Sequence, residues 1–313
     1  MKILIIKPSS FGDIVQAAPC AAALKKVYPG CKVSWVVFKQ WAGLVEMFPD
    51  IDNVVVWDRN NGLTGFFRVL KEIRKTEFDI AIDLQGLLRS AFLTRFAKAK
   101  IKIGVPGMKE GSAFLLKEPY PQNAAMNATL RNLEPLRFLT GTTFLPEINI
   151  KIDEDSRTYA QNLLKENNIK EDFIALLPFA RGKGKDWGAS NYENFIRLIN
   201  EKYQNFQTVI LGSASDYGKI KSGKTVDLCG KTNLKQLAAV LSKSIMTVGA
   251  DTGPMHLASA LNVPSVFIFG KSDINETAPY LGRFSLLLNK QNPNEINKIT
   301  PEEVLEASEK WIK

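Results

Sequence analysis

The chain has 313 residues, 45% of them hydrophobic and 23% charged, with 41 Lys and Arg against 32 Asp and Glu for a formal net charge of +9. That length suits two domains of about 150 residues each, the composition is that of a globular enzyme, and no apolar run reaches the roughly 18 residues of a membrane span. One histidine and three scattered cysteines, Cys20, Cys31 and Cys229, cannot build a zinc site, and with no zinc-finger spacing and no RNP-like aromatic motif the positive charge points to an anionic substrate or membrane face, not to nucleic acid.

Residues 2–7 read as a buried strand and not as a secretion signal, because Pro8-Ser9-Ser10 ends the apolar run; a cytoplasmic location is the expectation. A helix over 14–27 follows and stops at Pro29-Gly30. Strands at 33–38 and 54–57, a helix at 66–75, a strand at 78–84, a helix at 87–97, a short strand at 101–104 and a helix at 127–139 complete a first series. A polar, turn-like stretch around Gly141 and Pro146 intervenes. The alternation then restarts with a helix at 155–167, a strand at 173–178, a helix at 192–203, strands at 208–211 and 225–228, a helix at 234–241, a strand at 245–249, a helix at 255–261 and a strand at 265–269. Thr300-Pro301-Glu302-Glu303 opens a last helix, with Thr at the N-cap, Pro at N1 and Glu at N3. Repeated strand–helix units with apolar strands predict an α/β protein of two doubly wound parallel sheets covered on both faces, over residues 1–150 and 151–300. Ligands in such sheets sit at the carboxyl ends of strands, so a cleft between two such domains is the expected site.

The strand ends carry the chemistry. The first runs into Ser9-Ser10-Phe11-Gly12-Asp13, a small-residue loop at a helix start, where backbone N–H groups favour anions. Asp13 there is either a helix-capping aspartate or a general base. Asp83-Leu84-Gln85-Gly86 ends another strand, from which Gln85, Arg89 and Ser90 can face a cleft; Gly86 as a plain turn residue is the simpler reading. Arg181-Gly182-Lys183-Gly184-Lys185 follows the strand at 173–178 as a mobile basic loop, solvated or set to neutralise a departing diphosphate. Asp216 stands just beyond a strand, suited to a ribose diol or to capping a turn. The strongest local signal is Ala250-Asp251-Thr252-Gly253-Pro254-Met255-His256. Gly253 admits a ligand close to the backbone, first-turn amides favour a diphosphate, and the lone imidazole stands beside them. The competing reading is a capping Asp251 or Thr252 with a half-buried histidine.

With these motifs quoted, the chain resembles the bacterial heptosyltransferases of glycosyltransferase family 9 over nearly its whole length. The carriers are Ile5-Ile6-Lys7-Pro8-Ser9-Ser10-Phe11-Gly12-Asp13, Asp83-Leu84-Gln85-Gly86, Lys185-Asp186-Trp187 and Asp251-Thr252-Gly253-Pro254-Met255-His256. The resemblance implies a GT-B architecture, two Rossmann-like domains facing across a cleft, the first for the acceptor and the second for the nucleotide sugar, with the closing helix at 301–313 packing back on the first. It implies inverting transfer of heptose from ADP-heptose to a Kdo-lipid A type phosphorylated glycolipid in lipopolysaccharide inner-core synthesis, with no metal and no cofactor. Asp13 matches the family's catalytic base. Ser10, Lys185, Asp216, Asp251, Thr252, Gly253 and His256 match its donor side, and Arg59, Gln85 and Arg89 are the acceptor-side candidates. The chain departs from the family pattern in the glycine-rich, basic loop before Lys185, in Met126-Asn127 where a His is usual, and in a 58–65 segment that keeps only Arg59, with Arg68 beyond it. A phosphorylated glycolipid would place the enzyme peripherally on the cytoplasmic face of the inner membrane. The rival readings are a nucleotide-sugar 2-epimerase and a non-catalytic nucleotide-sugar-binding protein; a nicotinamide dehydrogenase is disfavoured because no G-x-G-x-x-G follows the first strand.

Overall fold

The computed structural model describes residues 1–116, 126–169, 172–182, 184–222 and 225–312. The chain divides into two compact units, Met1–Lys151 and Ile152–Lys313.

The first unit runs β1 (Lys2–Ile6), α1 (Phe11–Val27), β2 (Lys32–Phe38), α2 (Ala42–Val45), β3 (Asn53–Trp57), α3 (Gly62–Ile73), β4 (Phe78–Asp83), α4 (Leu88–Phe96), β5 (Ala99–Gly104) and α5 (Ala128–Thr140). Its strands are all parallel, in the order β3-β2-β1-β4-β5. The central β1 has to be apolar on both faces, and Ile3 to Ile6 are fully buried. The Ala-rich α1 is buried from Ile14 to Leu24, and it packs against α5. Strand order reverses between β1 and β4, so the loops after those two strands part to opposite faces and leave a crevice at their carboxyl ends.

The second unit runs α6 (Glu154–Glu166), β6 (Phe173–Leu177), α7 (Ala189–Lys202), β7 (Gln207–Ile210), β8 (Thr225–Asp227), α8 (Leu234–Leu241), β9 (Met246–Ala250), α9 (Gly253–Ala260), β10 (Ser265–Phe269), α10 (Ile274–Thr277), β11 (Phe284–Leu288) and α11 (Pro301–Glu309). The sheet is again parallel, in the order β11-β10-β9-β6-β7-β8, and it reverses between β6 and β9. Sequence patterning does not mark β11, an edge strand whose five residues are only half-buried.

The closing helix has a place in the core of its own unit. Val304 and Ile312 join Ile174, Phe195 and Ile268 in the core of the second unit, and the Trp311 indole donates to Ser285 Oγ at 3.3 Å. Residues 301–312 therefore cover α7, β10 and β11 of their own unit. The apolar face of α11 is spent on the edge that β11 creates.

Candidate functional site

In the first unit, α1 begins at Phe11, earlier than the apolar pattern suggests, with Ser10 as N-cap. Asp13 is therefore the third helical residue and not the cap. Its Oδ2 accepts from the Ser10 N–H at 3.0 Å and from the Ser10 hydroxyl at 2.5 Å, which ties the loop to the helix start. The neighbouring crevice wall is Gln85, whose Oε1 accepts from the Ser9 N–H at 3.2 Å. The turn that presents Gln85 is built by Asp83. This fully buried carboxylate accepts from the amides of Gln85 (2.8 Å) and Gly86 (3.0 Å) and from the Ser90 hydroxyl (2.9 Å). Burial pushes its carboxyl up to about 6, against the pull of those hydrogen bonds. Ser90 thus supports the turn from within and does not face a cleft.

Lys7 is the residue that the sequence names only as part of a motif. It is buried at the end of β1, where burial lowers its ammonium's proton affinity while Asp13 and Asp83 raise it and Arg131 on α5 lowers it further. Two carboxylates and one further cation thus act on the charge of Lys7 at the end of β1. Arg89 is exposed on the first turn of α4. Arg59 lies apart from it, beyond β3, with its guanidinium 5.7 Å from the Phe38 ring centre. Three strand positions separate β3 from β4, about 14 Å along the sheet, so the acceptor-side candidates do not form one cluster.

In the second unit, three strand ends converge on Asp251. Its Oδ2 accepts from Lys185 Nζ at 2.8 Å and from the Ser272 hydroxyl at 2.7 Å, and its Oδ1 lies 3.0 Å from His256 Nε2. Lys185 follows β6, Asp251 follows β9 and Ser272 follows β10. Burial works against the charge on Asp251, but the hydrogen bonds and charges of His256 and Lys185 outweigh it and hold the carboxyl well below the usual range. The histidine is buried, not half-buried, with its ring 5.5 Å from that of Phe267.

Neither capping reading holds at this turn. Asp251 spends both oxygens on side chains, and Thr252, although the N-cap of α9, makes no cap with its hydroxyl. Thr252 Oγ1 is buried and, among the described residues, has no hydrogen-bond partner. Pro254 has no N–H, and the His256 N–H closes onto Thr252 O at 3.2 Å, which leaves the Gly253 and Met255 amides ahead of the helical ladder. An unspent hydroxyl, two amides, a helix N-terminus and a lysine ammonium held at 2.8 Å from its anchor make an anion site.

The basic loop before Lys185 is pinned at its far end. The Lys271 N–H donates to Gly184 O at 3.2 Å, and the buried Trp187 indole donates to Ile299 O at 2.7 Å. Arg181 is exposed, and Lys183 lies outside the described residues. Asp216 sits away from Asp251, beyond β7 on the other side of β6. Its Oδ2 accepts from the Ser213 amide at 3.1 Å and from the Ser213 hydroxyl, and its Oδ1 pairs with Lys219 at 2.6 Å. Burial opposes its ionisation, but Lys219 and Ser213 keep the carboxyl low. Ser272 was legible in principle: it lies just beyond a predicted strand, as Asp251 does, but a lone serine carries no motif.

Comparisons with known proteins agree with this layout. The model of glycosyltransferase family 9 (heptosyltransferase) matches residues 66–305. The lipopolysaccharide core heptosyltransferase OpsX of Haemophilus influenzae is 23% identical, over 89% of this chain and 81% of that protein. A family 9 glycosyl transferase from Veillonella parvula superposes with a TM-score of 0.87 at 21% identity, over 99% of this chain and 97% of its own. The Escherichia coli ADP-heptose lps heptosyltransferase II superposes with a TM-score of 0.83 at 21% identity, over 100% and 98%. Both sheets thus have the GT-B fold, the family model spans the Gln85 turn, the Lys185 loop and the Asp251 turn alike, and the chain belongs to glycosyltransferase family 9, the heptosyltransferases, as an enzyme that transfers sugar.

Proposed function

We propose that the protein is an inverting transferase that moves heptose from ADP-heptose to a Kdo-lipid A type acceptor in lipopolysaccharide inner-core synthesis, without a metal. The observation that carries this is the anion site of the second unit, where Thr252 Oγ1 is buried without a partner beside a lysine that Asp251 holds in place. The donor diphosphate takes the Thr252 hydroxyl, the Gly253 and Met255 amides and the Lys185 ammonium. His256 has its Nε2 committed to Asp251, so it acts by orienting that carboxylate, and Asp251 acts by aiming Lys185. Asp216, at a neighbouring strand end, takes the ribose.

The acceptor hydroxyl attacks the anomeric carbon from the face opposite the diphosphate. Its proton passes to the Asp13 carboxylate, the new C–O bond forms as the old one breaks, and the bonding pair leaves on the diphosphate oxygen, whose charge Lys185 and the amides stabilise. Ser10 fixes Asp13, and Gln85, Arg89 and Arg59 serve the acceptor. The donor is named in the E. coli relative, and the acceptor class follows the core heptosyltransferases the chain resembles. No helix among the described residues is long and apolar enough to cross a membrane, and we place the enzyme peripherally on the cytoplasmic face where such an acceptor is made.

A thermal-shift panel of ADP, UDP, GDP and ADP-heptose tests the donor. Saturation at about 100 times Kd gives about 2.7 kcal/mol of stabilisation, or roughly 5–10 °C for a unit of this size. ADP and ADP-heptose are expected to stabilise the wild type and to lose that effect in Lys185→Ala. Equal shifts with all three nucleotides would remove the donor assignment, and transfer that EDTA abolishes would remove the metal-free one.

A further inference from the structure

The central strand of the first unit runs from an apolar stretch into a buried cation. Lys7 is 6% exposed, directly after the fully buried Ile3 to Ile6. Its backbone is fixed on both sides: its N–H donates to Val36 O at 3.3 Å, its carbonyl accepts from the Trp35 indole at 3.1 Å, and Pro8 O accepts from the Phe38 N–H at 3.0 Å. Side chains alternate along a strand. Leu4 and Ile6 share one core with Val69 and Ile73 of α3 and Leu93 of α4, so the other row, Ile3, Ile5 and Lys7, falls on the opposite face. That is the face of α1. α1 carries the chain outward from β1 to β2 and α3 carries it back from β3 to β4, and right-handed crossovers of opposite direction cover opposite faces.

α1 packs there against α5, and the first turns of the two helices bring charge to Lys7. Burial weakens the hold of its ammonium on the proton, Asp13 of α1 strengthens it, Arg131 of α5 weakens it again, and Asp83 at the end of β4 adds a smaller support. Further along α5, Glu134 and Arg137 pair with each other at 2.7 Å. Asp13 is anchored to the Ser10 N–H and hydroxyl, neither of which carries a full charge. Packing does not call for a lysine at this position, since Ile3 and Ile5 fill the same row with apolar side chains, and keeping an ammonium buried is costly unless it answers an opposite charge. In so dry a place a cation acts strongly on a neighbouring carboxylate.

We propose that Lys7 is a positioning residue for sugar transfer: its buried ammonium, set against the first turns of α1 and α5, keeps Asp13 ionised and ready to take the acceptor proton. This rests on the reading of Asp13 as the base; the coupling of Lys7 to Asp13 does not.

The test is a carboxyl ¹³C NMR titration of the full chain, with Asp13→Asn identifying the Asp13 resonance, set beside the pH profile of kcat/KM. In Lys7→Met and Lys7→Gln the Asp13 midpoint is expected to rise by about one pH unit or more. The acid limb of kcat/KM is expected to rise with it, so that activity on that limb falls about tenfold. Lys7→Arg restores the charge and is expected to recover most of both. Nucleotide-induced thermal shifts, which report the second unit, are expected to stay as in the wild type. An Asp13 midpoint that neither neutral variant moves overturns the proposal. So does a midpoint that Lys7→Arg raises as far as Lys7→Met does, which would make shape and not charge the role of Lys7. A moved midpoint in an enzyme whose Asp13→Asn variant still transfers at the wild-type rate would instead remove Asp13 as the base and leave the coupling standing.

Discussion

Asp251→Asn removes a negative charge from a site that is 6% exposed while keeping the side chain's shape. The contacts at stake are Lys185 at 2.8 Å, Ser272 at 2.7 Å and His256 at 3.0 Å. The Ser272 bond survives on the amide oxygen, and the other two lose their charge. A hydrogen bond to a charged group contributes about 1.5–3 kcal/mol. Lys185, 32% exposed, recovers part of its loss by hydration. Stability is therefore expected to fall by about 2 kcal/mol, or roughly 4–8 °C in melting temperature. Transfer suffers more. A cation aimed at a departing diphosphate is worth about 3 kcal/mol, and a Lys185 no longer held on its anchor forfeits most of that, roughly 30- to 150-fold in kcat/KM. The assay is a double-mutant cycle of Asp251→Asn and Lys185→Ala, read in kcat/KM and in melting temperature. If Asp251 acts through Lys185, either substitution adds little once the other is made, and the coupling is about 2 kcal/mol. Losses that simply add, or an Asp251→Asn enzyme of unchanged kcat/KM, would refute this chain of positioning.

Asp13→Asn keeps an acceptor for the Ser10 hydroxyl, so it is expected to melt within about 1 kcal/mol of the wild type and to bind nucleotide normally while kcat falls about 10²–10⁴-fold; single-turnover transfer alongside nucleotide titration checks both. Asp83, whose folded carboxyl at about 6 exceeds the unfolded value of about 3.9, contributes stability that is present below about pH 4 and lost as pH rises through about 6, some 3 kcal/mol in all. Urea unfolding of the wild type and Asp83→Asn across that range should show their difference shift against the wild type by that amount, and a flat difference would count against the raised carboxyl. Gly270→Ala sets a Cβ 2.0 Å from Gly184 O, a backbone atom that cannot swing aside; about 1–3 kcal/mol of stability is expected to go, and donor KM to rise as Lys185 shifts, both read from melting curves and initial rates.

The strands that position the two crevices were legible because they are buried runs, such as Ile3–Ile6 and Phe173–Leu177, whose neighbours cover both faces. β11 was not, since Phe284–Leu288 lies at the sheet edge, where leucines half-exposed to solvent resemble a loop. The start of α1 was misplaced because a cap, and not an apolar residue, sets it. Ser10 closes on Asp13 three residues on, and Ser213 closes on Asp216 in the same way. One local pattern thus yields a turn-capping carboxylate in both units, and only three-dimensional neighbours separate them: Asp216 is paired with Lys219 at the surface, while Asp13 lies in the field of the buried Lys7. The Asp251 network was half legible. Its own turn announces itself, but Lys185 and Ser272 reach it from strand ends far away in sequence, and only the strand order brings the ends of β6, β9 and β10 side by side.

Glycines and positive charge made the loop at 181–185 read as mobile, and the structure explains why such a composition can serve the opposite end. Gly184 has a φ of 80°, a conformation that side chains resist, and it brings its carbonyl to the Lys271 amide. Gly270 lacks the Cβ that would collide with that carbonyl. Three residues on, Trp187 is buried and bonded to Ile299 O. Lys185 is thus bracketed by two backbone anchors and tethered by a third contact, Asp251, before any ligand arrives. A cation fixed in advance needs no reorganisation as charge grows on the leaving oxygen, which is the condition under which an electrostatic contact gives its full effect on a barrier. A loop free to move would first have to be ordered, at about 1–2 kcal/mol per residue, and would return most of what its charge supplied. The glycines here therefore permit close approach between β10 and the β6 loop, and the rigidity that follows is what would let a single lysine serve the diphosphate of the proposed donor.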